Sequence, residues 1–293
     1  MMDRAGEGKH SPRFALLLHS LAMGGAERVL VELANQFARR GHRIDLVLVR
    51  NRGELIANVS DRVRVVDLDA GNAYLAIPAL VRYLRREEPE AILSSFELLS
   101  LIVLFLRRIF RLPFRVVVRI ATTLSLNRRA AYKKRLERFL VSWLYPQADA
   151  IVPVSKSAAQ DFASFAGFSS DRLHVVYNPV ITEQFLQDAR EEAAHPFFEP
   201  GGPPVILGVG RLNEAKDFPL LIRAFAALRR RSPVRLLILG DGELRTELET
   251  LVDSLGLCEE VDLPGFVMNP AAYMRRAAVF VLSSAWEGLP GAL

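Results

Sequence analysis

Short runs of β-branched residues and leucine alternate along the chain with longer stretches in which apolar positions recur every three or four residues. The first pattern is that of a buried strand and the second that of a helix with one apolar face. Their alternation predicts βα units around parallel sheets. Phe14–Leu18 is the first expected strand. Ala26–Arg40 is the first expected helix, with Leu30, Leu33, Ala34 and Phe37 on one face and Gly41 as its stop. Strands are expected at Ile44–Val49, Val63–Val66, Ala91–Leu93, Val116–Ile120, Ala150–Val154 and Leu173–Val176. A helix over Ala76–Arg86 ends near Pro89, and further helices fill the gaps.

The apolar run Phe14–Ala22 follows Arg4, Lys9 and Arg13, the outline of a short signal peptide. His19 interrupts it, and a glycine pair and an amphipathic helix follow in place of a cleavage site, which favours a first buried strand.

The composition breaks at 191–204, which carries Pro196, Pro200, Gly201, Gly202, Pro203 and Pro204 and reads as an interdomain linker. The expected domains are therefore 1–190 and 205–293. In the second, strands are expected at Val205–Val209, Leu236–Leu239, Val261–Leu263 and Val279–Leu282. Helices are expected at Phe218–Arg230, with Leu221, Phe225 and Leu228 inward, and at Leu244–Leu255. A doubly wound six-strand domain has two βαβαβ halves. With four strands the second domain is expected to be incomplete, the chain being truncated by one or two βα units of about 30 residues each.

Composition adds limits. The chain has 293 residues, enough for two domains, with 51% hydrophobic and 24% charged residues, as in soluble globular proteins. The single cysteine, Cys258, excludes a disulfide within the chain and points to a reducing, cytoplasmic compartment. The longest apolar run, Leu101–Leu106, falls far short of the ~20 residues that span a bilayer. The net charge is +5, and it is concentrated: between Arg107 and Arg138 there are eleven Lys or Arg and one acid, Glu137.

Candidate chemistry sits where strands end in glycine. Gly24-Gly25, after the first strand, would let backbone N–H groups approach an anion at a helix N-terminus, or would simply make a tight turn. The spacing departs from G-x-G-x-x-G, which disfavours a nicotinamide enzyme. In Gly208–Phe218, Arg211 and Lys216 lie at a strand's carboxyl end, the edge where open α/β sheets bind ligands. Two cations there suit a diphosphate. Gly240-Asp241-Gly242 with Glu243 and Arg245 reads as a pocket floor, and Phe266 and Val267, after Gly265, as apolar groups that flank a base. Ser283–Gly291 places Glu287 on a turn after a buried strand, either to accept hydrogen bonds from sugar hydroxyls or to cap the next helix.

Together these residues resemble the retaining glycosyltransferases of family 4. The resemblance rests on Gly24–Arg28, on Ile151–Ser155 followed by Val175–Pro179, on Gly210–Leu212 with Lys216, on Leu239–Gly242 and on Ser284–Pro290, in the family's order. It implies an α/β protein with two Rossmann-like doubly wound domains facing across a cleft (GT-B). It also implies that Arg211 and Lys216 hold the donor diphosphate and stabilise the leaving group. Gly24 and Gly25 would belong to a loop closing over the phosphates, and Phe266 and Val267 would lie beside the base. Glu287, with Gly288 and Leu289, would contact the donor sugar as the first glutamate of an E-x7-E motif. The donor would be a UDP- or GDP-sugar, with no metal required. The motif's second glutamate would fall two residues past Leu293, and Ala121 stands where the family often has a histidine near the acceptor.

The basic block adds an acceptor. Tyr132, Leu136, Phe139, Leu140 and Trp143 share a helical face, with Lys133, Lys134 and Arg138 away from it. Upstream, Arg107, Arg108 and Arg111 interrupt an apolar stretch. The segment Leu101–Trp143 reads either as core helices with solvated basic sides or as a peripheral contact with anionic membrane, where a glycan or polyisoprenyl-linked acceptor would be presented. Nucleic acid is not an expected partner, because no aromatic stacking platform accompanies the charge.

Overall fold

The computed structural model of the chain describes residues 12–22, 24–122, 131–179 and 181–289, the side chains of 131–134 excepted. The chain forms two compact units, Met1–Asn178 and Pro179–Leu293.

The first unit alternates strand and helix: β1 (Arg13–Leu18), α1 (Gly25–Arg39), β2 (Arg43–Leu48), β3 (Val63–Asp67), α2 (Ile77–Glu87), β4 (Ala91–Ser94), α3 (Glu97–Phe110), β5 (Arg115–Ile120), α4 (Ala131–Leu144), β6 (Ala150–Pro153) and α5 (Lys156–Ala166). All pairings are parallel, in the order β3-β2-β1-β4-β5-β6. This is the doubly wound order, whose reversal between β1 and β4 opens a crevice at the carboxyl edge. The run considered as a leader is β1, and Ala15–Leu18 are fully buried.

Local chemistry explains the element ends. Gly41 (φ 87°) stops α1, and its N–H donates to Ala38 O at 3.0 Å. The Ser155 hydroxyl accepts from Ala158 N–H and starts α5, while Gly167 (φ 70°) ends it. At the opposite, amino edge, the buried Asp45 carboxylate takes two bonds from Arg64 (2.9 and 2.6 Å) and one from the Tyr83 hydroxyl (2.7 Å). Burial, and then this bond, push the Tyr83 phenol well above its ordinary pKa.

One expectation for this unit is corrected. Leu173–Val176 is not a strand but a single bridge, Leu173 to Ile151, with N–H bonds from His174 to Ile151 O and from Val176 to Pro153 O. The reciprocal bond would need an N–H on Pro153, and proline has none, so the ladder stops and β6 stays an edge. On α4, for which the sequence left both a core and a surface reading open, Leu136, Phe139 and Trp143 are exposed, Leu140 is partly buried, and the helix buries Glu137, Val141 and Leu144.

The second unit contains α6 (Glu183–Asp188), β7 (Val205–Val209), α7 (Phe218–Arg229), β8 (Arg235–Leu239), α8 (Arg245–Ser254), β9 (Val261–Gly265), α9 (Pro270–Arg276) and β10 (Val279–Phe280). Its parallel sheet, among the described residues, runs β10-β7-β8-β9. That order repeats the 3-2-1-4 half of the first unit's winding. The inner face of α7 is Phe218, Leu221, Ile222 and Phe225, whereas Leu228, expected inside, is exposed near the helix end. Stretch 191–204, expected as a linker, lies within this unit. Ala193 and Phe198 are buried against the β7–β8 side of the sheet, and the Arg276 guanidinium sits 5.0 Å from the Phe198 ring centre. The units divide earlier, at Asn178–Pro179.

Candidate functional site

The carboxyl edge of the second unit's sheet gathers most of the candidate residues. β7 ends at Val209 and β10 at Phe280, and these strands are neighbours. The loops that follow them are therefore adjacent, although 71 positions separate Lys216 from Glu287. Ala285 N–H donates to Ala215 O at 2.9 Å, and Ser283 Oγ to Lys216 O at 2.7 Å, tying the two loops together. Lys216 Nζ pairs with Glu287 Oε1, and Ser284 Oγ donates to the same oxygen at 2.8 Å. Both charged side chains are largely shielded from water.

Glycines allow this edge to close up. Gly240 (φ 139°) lies so near Gly210 that a Cβ on it would stand 1.9 Å from Gly210 O. A Cβ on Gly242 would stand 2.4 Å from Leu212 O. The Gly240–Gly242 turn thereby packs backbone to backbone under the Gly210–Lys216 loop, with Leu212 N–H donating to Asp241 O at 3.0 Å. A Cβ on Gly210 would stand 2.8 Å from Lys216 Cε, so the lysine side chain lies across that glycine. This contact fixes the ammonium beside Glu287.

The remaining candidates are placed differently. Arg211 is mostly exposed, with its Nε 3.7 Å from Glu243 Oε2, a surface pair of small energy that leaves the guanidinium available to a ligand. Phe266, just past β9, is partly exposed, while Val267 packs into the core beside β7 and β8. Gly288 is buried and Leu289 half-buried. Gly24 and Gly25 belong to the first unit, at the start of α1. A Cβ on Gly24 would collide with the Glu27 carboxylate, whereas Gly25 faces open space. Ser283 and Ser284 lie within the Ser283–Gly291 segment but had no role of their own from sequence, although a serine three residues before an acid on a turn is a signal for such a bond. Among the described residues no three His, Cys, Asp or Glu side chains gather as a metal site.

Comparison with known proteins shows the family of the chain. Residues 23–184 match the family model for Glycosyltransferase Family 4, and residues 189–293 match that for Glycosyl transferases group 1. The chain belongs to glycosyltransferase family 4. This glycosyltransferase is 30% identical over 292 residues to an N-acetylgalactosamine-N,N'-diacetylbacillosaminyl-diphospho-undecaprenol 4-alpha-N-acetylgalactosaminyltransferase of Campylobacter jejuni, covering 96% of this chain and 77% of the relative. It is 27% identical to a lipopolysaccharide core biosynthesis glycosyltransferase of Rhizobium meliloti, covering 91% and 71%. Its fold is that of Anabaena HepE, solved with UDP and glucose: the TM-score is 0.72 at 19% identity, over 92% of this chain and 74% of that one. The α/β expectation of two Rossmann-like domains of the GT-B class thus holds, and the glycosyltransferase of family 4 implied by the sequence motifs is the family found.

Proposed function

We propose that this glycosyltransferase moves a hexosyl residue from a nucleoside-diphosphate sugar to a glycan or polyisoprenyl-linked acceptor, with retention at the anomeric carbon, in the synthesis of a cell-surface polysaccharide or glycoconjugate. The observation that carries the reading is the Lys216–Glu287 pair, held with Ser284 at the carboxyl edge of β7 and β10. An ion-paired carboxylate and ammonium at this edge mark a place where a ligand with both an anion and hydroxyls would be met. The diphosphate would take Lys216 and the exposed Arg211, and the sugar hydroxyls would take Glu287, beside Gly288 and Leu289.

As the bond from C1 to the donor phosphate oxygen breaks, negative charge grows on the diphosphate, and cations already fixed there lower the barrier. The acceptor hydroxyl forms the new C1–O bond on the same face, and its proton passes to the departing phosphate oxygen. Phe266, with Val267 behind it, is assigned to the base. Gly24 and Gly25 at the α1 N-terminus are assigned to anion binding through backbone N–H groups. A UDP-sugar donor is supported by the UDP-bound neighbour of like fold, and a lipid-linked acceptor by the diphospho-undecaprenol substrate named for the Campylobacter jejuni relative. The test is release of the nucleoside diphosphate from UDP- or GDP-sugars that depends on added lipid-linked saccharide. Release that ignores the acceptor would count against transfer.

The acceptor reading includes a membrane surface. Phe105, Ile109 and Phe110 of α3 and Leu136, Phe139 and Trp143 of α4 are all exposed. Arg108 lies 5.6 Å from the Trp143 ring centre, and Arg85 4.8 Å from that of Phe110. Apolar side chains interleaved with arginine suit insertion between anionic headgroups. No helix among the described residues is long and apolar enough to cross a membrane. Flotation with phosphatidylglycerol vesicles at low salt is expected to carry the protein upward, and Phe139→Glu to reduce that several-fold. Equal recovery with neutral vesicles would argue against the surface.

A further inference from the structure

The carboxyl edge of the first unit holds a charge that its neighbours do not balance. Arg119, the next-to-last residue of β5, is buried at 6% exposure. Its Nη1 donates to Ser95 Oγ and its Nη2 to Asn178 Oδ1, each at 2.6 Å. Both partners are neutral, and among the described residues no carboxylate pairs with it. Burial pushes the guanidinium down to about 10. A buried cation without a counter-charge is costly and calls for an explanation.

The surroundings deepen the deficit of negative charge. β5 lies between β4 and β6, and the helices that follow those strands, α3 and α5, both begin at this edge. The α5 N-terminus carries partial positive charge, with no acid in its first turn, whereas that of α3 is met by Glu97. Two of the five guanidinium N–H groups are used on neutral oxygens, which leaves donors in a fork suited to phosphate.

We propose that the Arg119 guanidinium is an anion site at the carboxyl edge of the first sheet whose ligand is the phosphate or diphosphate group of the acceptor, Ser95 and Asn178 accepting from it without touching the ligand. That the anion arrives on the acceptor rests on the transfer reading above; the existence of the site does not. The group supplies position rather than chemistry: a phosphate held there fixes the acceptor's reducing end. The rival reading is a latch, in which Arg119 serves only to hold Asn178 at the end of the unit.

The test titrates inorganic pyrophosphate into the whole chain in the presence of saturating UDP, which occupies any diphosphate site of the donor. Wild type is expected to bind. Arg119→Gln, which keeps a donor for Ser95 or Asn178 but removes the charge, is expected to bind about ten- to a hundredfold more weakly, with UDP binding unchanged. Arg119→Lys, which keeps a charge without the fork, is expected to fall between. Asn178→Ala is expected to keep pyrophosphate binding. All variants are compared below their melting temperatures. No binding by wild type, or equal binding by Arg119→Gln, overturns the site. Equal losses in Asn178→Ala and Arg119→Gln overturn it in favour of the latch. Detergent-dispersed polyprenyl diphosphate is expected to displace pyrophosphate while the polyprenol does not; failure to displace overturns the assignment to the acceptor. Pyrophosphate binding that persists in a chain unable to bind UDP would sink the transfer reading and leave the site standing.

Discussion

Lys216→Ala is expected to lower kcat/KM for sugar transfer by roughly thirty- to eight-hundredfold, the equivalent of about 2–4 kcal/mol of transition-state stabilisation. The size follows from where the charge sits. The ammonium is largely shielded, its stem is pressed across Gly210, and Glu287 and Ser284 hold its end in place. A cation that does not reorganise when the diphosphate gains charge is worth more than a solvated one. Arg211, largely exposed, should matter less on the same scale. Steady-state kinetics with a UDP-sugar check this, beside a melting curve that shows the variant folded. Unchanged kinetics would remove Lys216 from the reaction.

Gly240→Ala is expected to be the most destabilising small substitution at this edge. A Cβ there would meet the Gly210 carbonyl at 1.9 Å, and both groups are backbone, so no side chain can swing away. The φ of 139° adds strain of its own. Together these should cost at least about 4 kcal/mol, which for a unit of this size lowers the melting temperature by roughly 10 °C or more. Gly41→Ala is the control. Its φ is 87°, but nothing stands within 4 Å of its would-be Cβ, so only the left-handed strain of about 1–2 kcal/mol applies. Equal melting temperatures for the two variants would contradict the packing described for the Gly210 and Gly240 loops.

Much of this fold can be read from sequence, because strand and helix periods alternate cleanly and the glycines mark strand ends. What could not be read depends on neighbours. Periodicity places Leu173–Val176 as a strand, but only pairing shows that Pro153 has no N–H to give. It groups Leu136, Phe139 and Trp143 on one face of α4, but cannot say that the face is left bare. α9 is seven residues long, too short to show a period, and only Asn269 before Pro270 signals its start. Likewise, Lys216 and Glu287 can each be chosen from their loops, whereas their contact follows from β10 lying beside β7. Arg119 gave no signal at all, since an arginine in an apolar strand is marked only by the partners it turns out to lack.

The proposed reaction transfers a sugar from a nucleoside diphosphate with its anomeric configuration kept. The direct measurement is proton NMR of the product formed from an α-linked UDP- or GDP-sugar and a lipid-linked saccharide. A new α-glycosidic signal is expected, growing in step with free nucleoside diphosphate. A β-linked product, or nucleoside diphosphate appearing with free sugar and no new linkage, would contradict it.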